Sequence, residues 1–226
     1  MSNRGLTQEF VWHNAGVPKA SRGPGRPPAA KAAETRDRIV RAARHVFSEL
    51  GYDAATFQEI AVRADLTRPA INHYFKSKRV LYREVVERTN EMVVVHAAQR
   101  AFQSDTLLAQ LEAFIDAAVG VDFEDRSAAA FLVTSVLESQ RHPELKREEH
   151  DALLGTRQFL TWAIAGAMER GELTSDTPVG PLVEMMIAMF WGMGFYAGFV
   201  GSHDELKRIT DEFKQLLSGK LWEWKA

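Results

Sequence analysis

The chain has 226 residues, of which 46% are hydrophobic and 26% charged, a balance that fits one large or two small globular domains and excludes a fibrous or wholly disordered chain. It has no cysteine, which rules out a disulfide framework, thiol catalysis and cysteine-held metal. The net charge of -2 hides an asymmetry: residues 1–90 carry 16 Lys+Arg against 9 Asp+Glu and residues 91–226 carry 12 against 21, so a basic part suited to a polyanion precedes an acidic one.

Residues 1–31, rich in Gly, Pro and Ala, lack helical or alternating periodicity and read as a disordered basic arm. Its end, Arg22-Gly-Pro-Gly-Arg26-Pro-Pro, stays extended, and an extended arm with an arginine can enter an A·T minor groove. The bland alternative is a flexible leader. Phe10-Val11-Trp12 has no assigned role. No basic segment followed by an apolar one marks a signal peptide. No apolar run of about 18 residues free of charge marks a membrane span, the nearest being the glycine-rich Met185–Gly201.

A first helix is expected over about 34–50. Ile39, Ala43, Val46, Phe47 and Leu50 form its apolar face, Arg36, Arg38, Arg41 and Arg44 spread over the rest, and Gly51 is the stop. Thr56 with Glu59 three residues on is a capping box for a second helix, with Ile60 and Ala61 inward. After Ala64-Asp65-Leu66, Thr67 caps a third helix with Pro69 in its first turn. Ile71 and Phe75 point inward, and Arg68, Ala70, Asn72 and His73 outward. Two short helices across a tight turn describe a helix-turn-helix. Ser77 caps a long fourth helix, about 78–102. Further helices are expected over about 106–120, 126–140, 143–170 (with His142-Pro143 as its start), 178–199 and 204–223. No stretch alternates like a strand, so the fold is all-α with nine helices.

Gly51-Tyr52, Thr56, Ile60-Ala61, Ala64, Thr67, Pro69, Tyr74-Phe75-Lys76-Ser77-Lys78 and Leu81 together resemble the TetR (tetracycline-repressor) family of bacterial transcription regulators. The likeness is in sequence over about 35–82 and in helix layout beyond. It implies a helix-turn-helix DNA-binding domain over 32–78 and a helical effector-binding and dimerisation domain over 79–226. By the resemblance, Thr56 matches a phosphate-bonding residue and Lys78 a phosphate-contacting lysine. Arg68, Pro69 and Ala70 match the head of the recognition helix, and Asn72, His73 and Tyr74 its groove-facing middle. Arg68 could pair with guanine and Asn72 with adenine, or either could bind phosphate. Asp65 stands where Gly is common, and Asp tolerates the left-handed conformation. Asn72-His73 replaces a common aromatic pair.

The resemblance also implies a ligand cavity in the second domain. Its Met and aromatic residues, few of them interrupted by charge, suit a hydrophobic or amphipathic small-molecule effector. Phe114, Phe131, Trp162, Met189 and Trp191 are the candidate lining, with His96 and Gln99 as polar contacts, against the plainer reading of a helical core. Gly192, Gly194 and Gly198 lie inside one apolar helix, each costing about 1 kcal/mol relative to Ala, and close approach of another backbone would offset that. The expected assembly is a homodimer through about 178–200 and 204–223. Glu148-Glu149-His150-Asp151 reads as a charged helix face, not a metal site, and no cofactor motif or catalytic constellation is present. The expected function is a cytoplasmic, ligand-responsive regulator, a repressor released from a palindromic double-stranded DNA operator. The alternatives are a hydrophobic-ligand carrier with a vestigial helix-turn-helix and, more remotely, a helical enzyme.

Overall fold

Serine, threonine and aspartate N-caps start most of the described helices. The computed structural model describes residues 28–145 and 151–222, the side chains of 28 and 122–124 excepted. Among these the regular elements are nine helices and one 3₁₀ turn. They are α1 (Pro28–Ala54), α2 (Phe57–Arg63), α3 (Arg68–Tyr74), α4 (Lys78–Asn90, a π turn Glu91–Val95, then His96–Ala101), α5 (Leu107–Glu124) and α6 (Ser127–Arg141). The 3₁₀ turn is Pro143–Leu145, and α7 (Ala152–Glu169), α8 (Val179–Phe195, ending in a π turn Tyr196–Val200) and α9 (His203–Leu217) follow it.

Thr35–Ala226 is one compact unit, and the described residues before it are the start of α1. Helix α1 begins earlier than expected, so residues 28–31 are helical and not part of a disordered arm. Pro28 suits a first helical position and the alanines that follow are strong helix formers. Arg26 lies outside the described residues, as do Glu148, Glu149 and His150. Gly51 does break α1, with φ 77 and ψ 172, although a last helical turn follows it.

The expected helix over 143–170 is corrected. His142 ends α6, Pro143–Leu145 is a 3₁₀ turn, and α7 starts at Ala152 because the Asp151 carboxylate accepts from the Leu153 and Leu154 amides at 3.0 and 3.2 Å.

Two apolar cores form. The first joins Ile39, Phe47, Ile60, Ile71, Phe75, Leu81 and Val85 with Phe131 of α6. The second joins Val94, Ala101, Phe114, Leu132, Phe159 and Val183. Helix α4 therefore feeds the head through its first turns and the body through its last, and the boundary expected at 78/79 falls inside one compact unit. Helix α6 does the same with two adjacent residues, Phe131 and Leu132.

Polar contacts tie the same seam. Arg44, expected on the outer face of α1, is buried at 4% exposure. Its guanidinium pairs with Asp125 between α5 and α6, and its Nε donates to the Ser127 hydroxyl at 3.1 Å. Arg36 pairs with Glu84 of α4, donates to the Tyr74 carbonyl at 3.3 Å and lies 4.4 Å from the Phe75 ring centroid.

Helix α8 is apolar enough over Val179–Val200 to cross a membrane by length and composition, longer than the run anticipated from sequence, yet few of its residues are buried. Its exposed residues Met185, Ala188, Gly192, Phe195 and Phe199 recur at three- and four-residue steps, a one-sided stripe. Glu184 on the same helix pairs with Arg157. Gly198 has a different cause: a Cβ there would lie 2.7 Å from Ala130 Cα, so this glycine serves the α6–α8 crossing within the chain and not a partner. At Gly192 a Cβ would meet nothing.

Burial by itself would raise the Asp125 carboxyl, but the Ser127 hydrogen bond and the Arg44 charge outweigh it and hold it below its ordinary value. A depressed carboxylate stabilises the fold above its unfolded pKa, about 3.9, and that contribution disappears as pH falls through the folded value. Asp125→Asn should lower the urea-unfolding free energy by about 3 kcal/mol at pH 7, because Arg44 is left buried without a counter-charge. The gap to the native protein should narrow below about pH 4.

Candidate nucleic-acid interface and effector cavity

The α2–α3 pair is set by local chemistry. Thr56 Oγ1 accepts from the Glu59 amide at 3.2 Å, and the Thr56 amide donates to the Glu59 carboxylate at 2.8 Å, completing the capping box. Asp65 takes φ 51, the left-handed conformation expected at the turn. Thr67 accepts from the Ala70 amide at 3.3 Å and starts α3. Ile71 and Phe75 are fully buried. Arg68, Pro69, Asn72 and His73 are exposed, and Ala70 and Tyr74 half-buried. The His73 and Tyr74 rings meet edge-on at 5.4 Å.

Two expected phosphate contacts are otherwise engaged. The Thr56 hydroxyl donates to Glu59 Oε2 at 2.8 Å. Lys78 Nζ donates to the carbonyls of Tyr52, Asp53 and Ala55 at 2.6, 2.9 and 3.0 Å, which uses its three protons, and sits 4.6 Å from the Tyr52 ring centroid. Carbonyls at a helix end attract a cation, so Lys78 clamps the last turn of α1. Lys76 and Arg79 on either side of it are exposed.

The body holds an apolar cavity of about 110 Å³. Phe114 and Trp191 line it. Phe131 does not: it packs with Phe47 and Tyr82 in the head core. Trp162 stands edge-on to Phe102 at 4.6 Å, and neither it nor Met189 lines the cavity. His96 and Gln99 border a separate polar hollow with Asp116 and Arg100. The remaining wall comes from Ile115, Val119, Val133 and Thr156 among others, with Val93 and Val94 from the π turn of α4 and Ala197 from that of α8. Phe114 stacks between Phe159 and Phe190 at 4.6 and 5.4 Å. These smaller aliphatic lining residues were hidden in the sequence because core and cavity wall share one composition.

An N-capped helix pair with its second helix exposed beside a basic head defines a helix-turn-helix DNA-binding protein. The sequence profile of bacterial regulatory proteins of the tetR family matches residues 39–85. The transcriptional repressor BepR of Brucella suis biovar 1 is 30% identical over 173 residues, 72% of this chain and 80% of BepR. Among solved structures, the fatty acid degradation regulator FadR from Bacillus halodurans superposes with a TM-score of 0.68 at 19% identity, over 91% of this chain and all of that one. FadR from Bacillus subtilis, solved in complex with stearoyl-CoA, gives 0.66 at 19% over 82% and 99%. The chain belongs to the TetR family and is a helix-turn-helix transcriptional regulator.

Lys78→Ala should lower the unfolding free energy by about 2 kcal/mol, since charged hydrogen bonds to three carbonyls are lost. Arg68→Ala, on an exposed face, should leave it within about 0.5 kcal/mol. Parallel urea titrations of the two variants check the contrast.

Proposed function

We propose that two copies of the chain bind a palindromic operator in double-stranded cytoplasmic DNA and release it when a hydrophobic small molecule enters the body cavity. The observation that carries this is the division of α3: Ile71 and Phe75 fix one side in the head core while Arg68, Asn72 and His73 stand on the other, in solvent. Arg68 pairs with guanine and Asn72 with adenine in the major groove, and the Ala70 methyl suits contact with a thymine methyl. Pro69, His73 and Tyr74 complete the groove-facing surface. Lys76 and Arg79 take the phosphate role first assigned to Lys78, while Thr56 sets the angle of α2. Arg26 in the preceding arm enters the adjacent minor groove. The carrier alternative has no support from a helix-turn-helix whose caps, turn and reading face are all intact.

One α3 reads only a few base pairs, so two related by a two-fold axis are needed for a specific site. The apolar stripe of α8, with Gly192 at its middle, meets its symmetry mate alongside α9. TetR-family regulators act as homodimers, which supports a two-fold pairing of this kind. Release follows if the effector binds one conformer better than the other; a difference of a few kcal/mol is enough to empty most operators. The lever is α4, which runs from the head core to the cavity wall. That BepR is a repressor by name supports the same sign of control here.

In selection from a random DNA library, Arg68→Ala should flatten preference at one position in each half-site, and Lys76→Ala should weaken all sequences alike with a shallower salt dependence. An unchanged selection profile for Arg68→Ala would remove the base-reading role. Phe195→Glu in the α8 stripe should give monomers by sedimentation at micromolar concentration where the native chain sediments as a dimer. A native chain that stays monomeric would sink the two-fold reading.

A further inference from the structure

The cavity wall has a specific chemistry. Among its lining residues there is no Asp, Glu, Lys, Arg or His, and only Thr156 and Trp191 carry a side-chain O–H or N–H. Thr156 is 3% exposed, and its hydroxyl already donates to the Ala152 carbonyl at 2.8 Å. Its proton is spoken for, and its oxygen can only accept. A carboxylate or phosphate seated here would be desolvated with no cation and at most the Trp191 N–H to pair with, which is strongly unfavourable. The volume, about 110 Å³, is on the order of that of dry cavities known to take a single benzene ring, roughly 150 Å³. Met193 in the wall is the side chain best able to repack around a slightly larger guest.

We infer that the effector is a neutral, compact hydrocarbon of about one ring bearing a single hydroxyl donor, a monocyclic phenol or alcohol, held by apolar contact and by its O–H donating to Thr156. This rests on the cavity being the effector site. It disfavours anionic ligands, since the wall holds no cation, and it uses one of the two polar side chains in the wall.

Three matched probes test it on the full-length protein: toluene, 4-methylphenol and 4-methylbenzoate, by calorimetry and ligand-observed magnetisation transfer. The phenol should bind about three- to tenfold more tightly than toluene, the range of one net hydrogen bond, and the benzoate should not compete at pH 7. In Thr156→Val, which keeps the shape and loses the hydroxyl, the phenol-to-toluene ratio should fall to about one while toluene binding persists. Ala118→Phe, which fills the cavity, should abolish both, with circular dichroism and DNA selection confirming a folded head. Equal or tighter binding of the benzoate, an unchanged ratio in Thr156→Val, or no binding of any probe overturns the assignment. Adding the phenol to the protein on its selected DNA separates the two claims. If the phenol binds as stated but leaves DNA affinity unchanged, the ligand class stands and the release reading fails. If the benzoate binds and releases DNA, the release reading stands and the ligand class fails.

Discussion

Phe131 and Leu132 are consecutive on α6 and face different cores. Successive residues on a helix differ by about 100° in direction, so a helix lying in the seam between two apolar clusters must supply both. That constraint organises the rest of the molecule. Helix α4 meets it along its length, with Leu81 and Val85 in the head and Val94 and Ala101 in the body. Helix α6 meets it across its width. With two helices shared, the head cannot reorient without repacking side chains that also line or neighbour the cavity, and packed interiors respond to such strain in steps rather than smoothly.

The polar contacts reinforce the shared helices instead of forming a hinge. Arg44–Asp125, Arg36–Glu84 and the Glu138 carboxylate, which accepts from the Tyr52 amide at 3.4 Å, all cross from α1 to the helices behind it. The first is expensive to break because its arginine is almost fully enclosed. The last sits where a side chain on Gly51 would strike, since a Cβ there would be 3.1 Å from Glu138 Oε1 and φ 77 disfavours one anyway. The glycine stop of α1 is thus also the point at which α6 approaches it.

Much of the head was legible in the sequence because its signals are local. Thr56 with Glu59, Thr67 with Pro69, Ser77, and Asp65 at positive φ each act within three or four residues, and each reads as it folds. Ile71 and Phe75 follow from helical spacing. What the sequence obscured depends on distant partners. Arg44 looks like one of four surface arginines until Asp125 is brought beside it. Lys78 looks like a phosphate ligand until the end of α1 presents three carbonyls. Phe131 and Trp162 have the composition of a cavity wall, and only the seam decides that the first belongs to the head core and that the second packs on Phe102. Gly198 and Gly192 share one apolar helix, yet one answers to Ala130 and the other to open space.

Each of the two π turns contributes to the cavity wall, Val93 and Val94 from α4 and Ala197 from α8. A π turn holds one residue more than the α-helical ladder needs and is found mostly where function offsets its weaker geometry. In α4 it lies between the part packed in the head and the part packed in the body. Pressure on Val93 and Val94 from within the cavity therefore bears on the least regular turn of the helix that reaches the reading head. Helix α6, anchored to the head by Phe131 and Glu138, limits how the head can respond. Helix α4 thus joins the cavity wall to the head core through its least regular turn, while α6 joins the same two regions through Phe131 and Leu132.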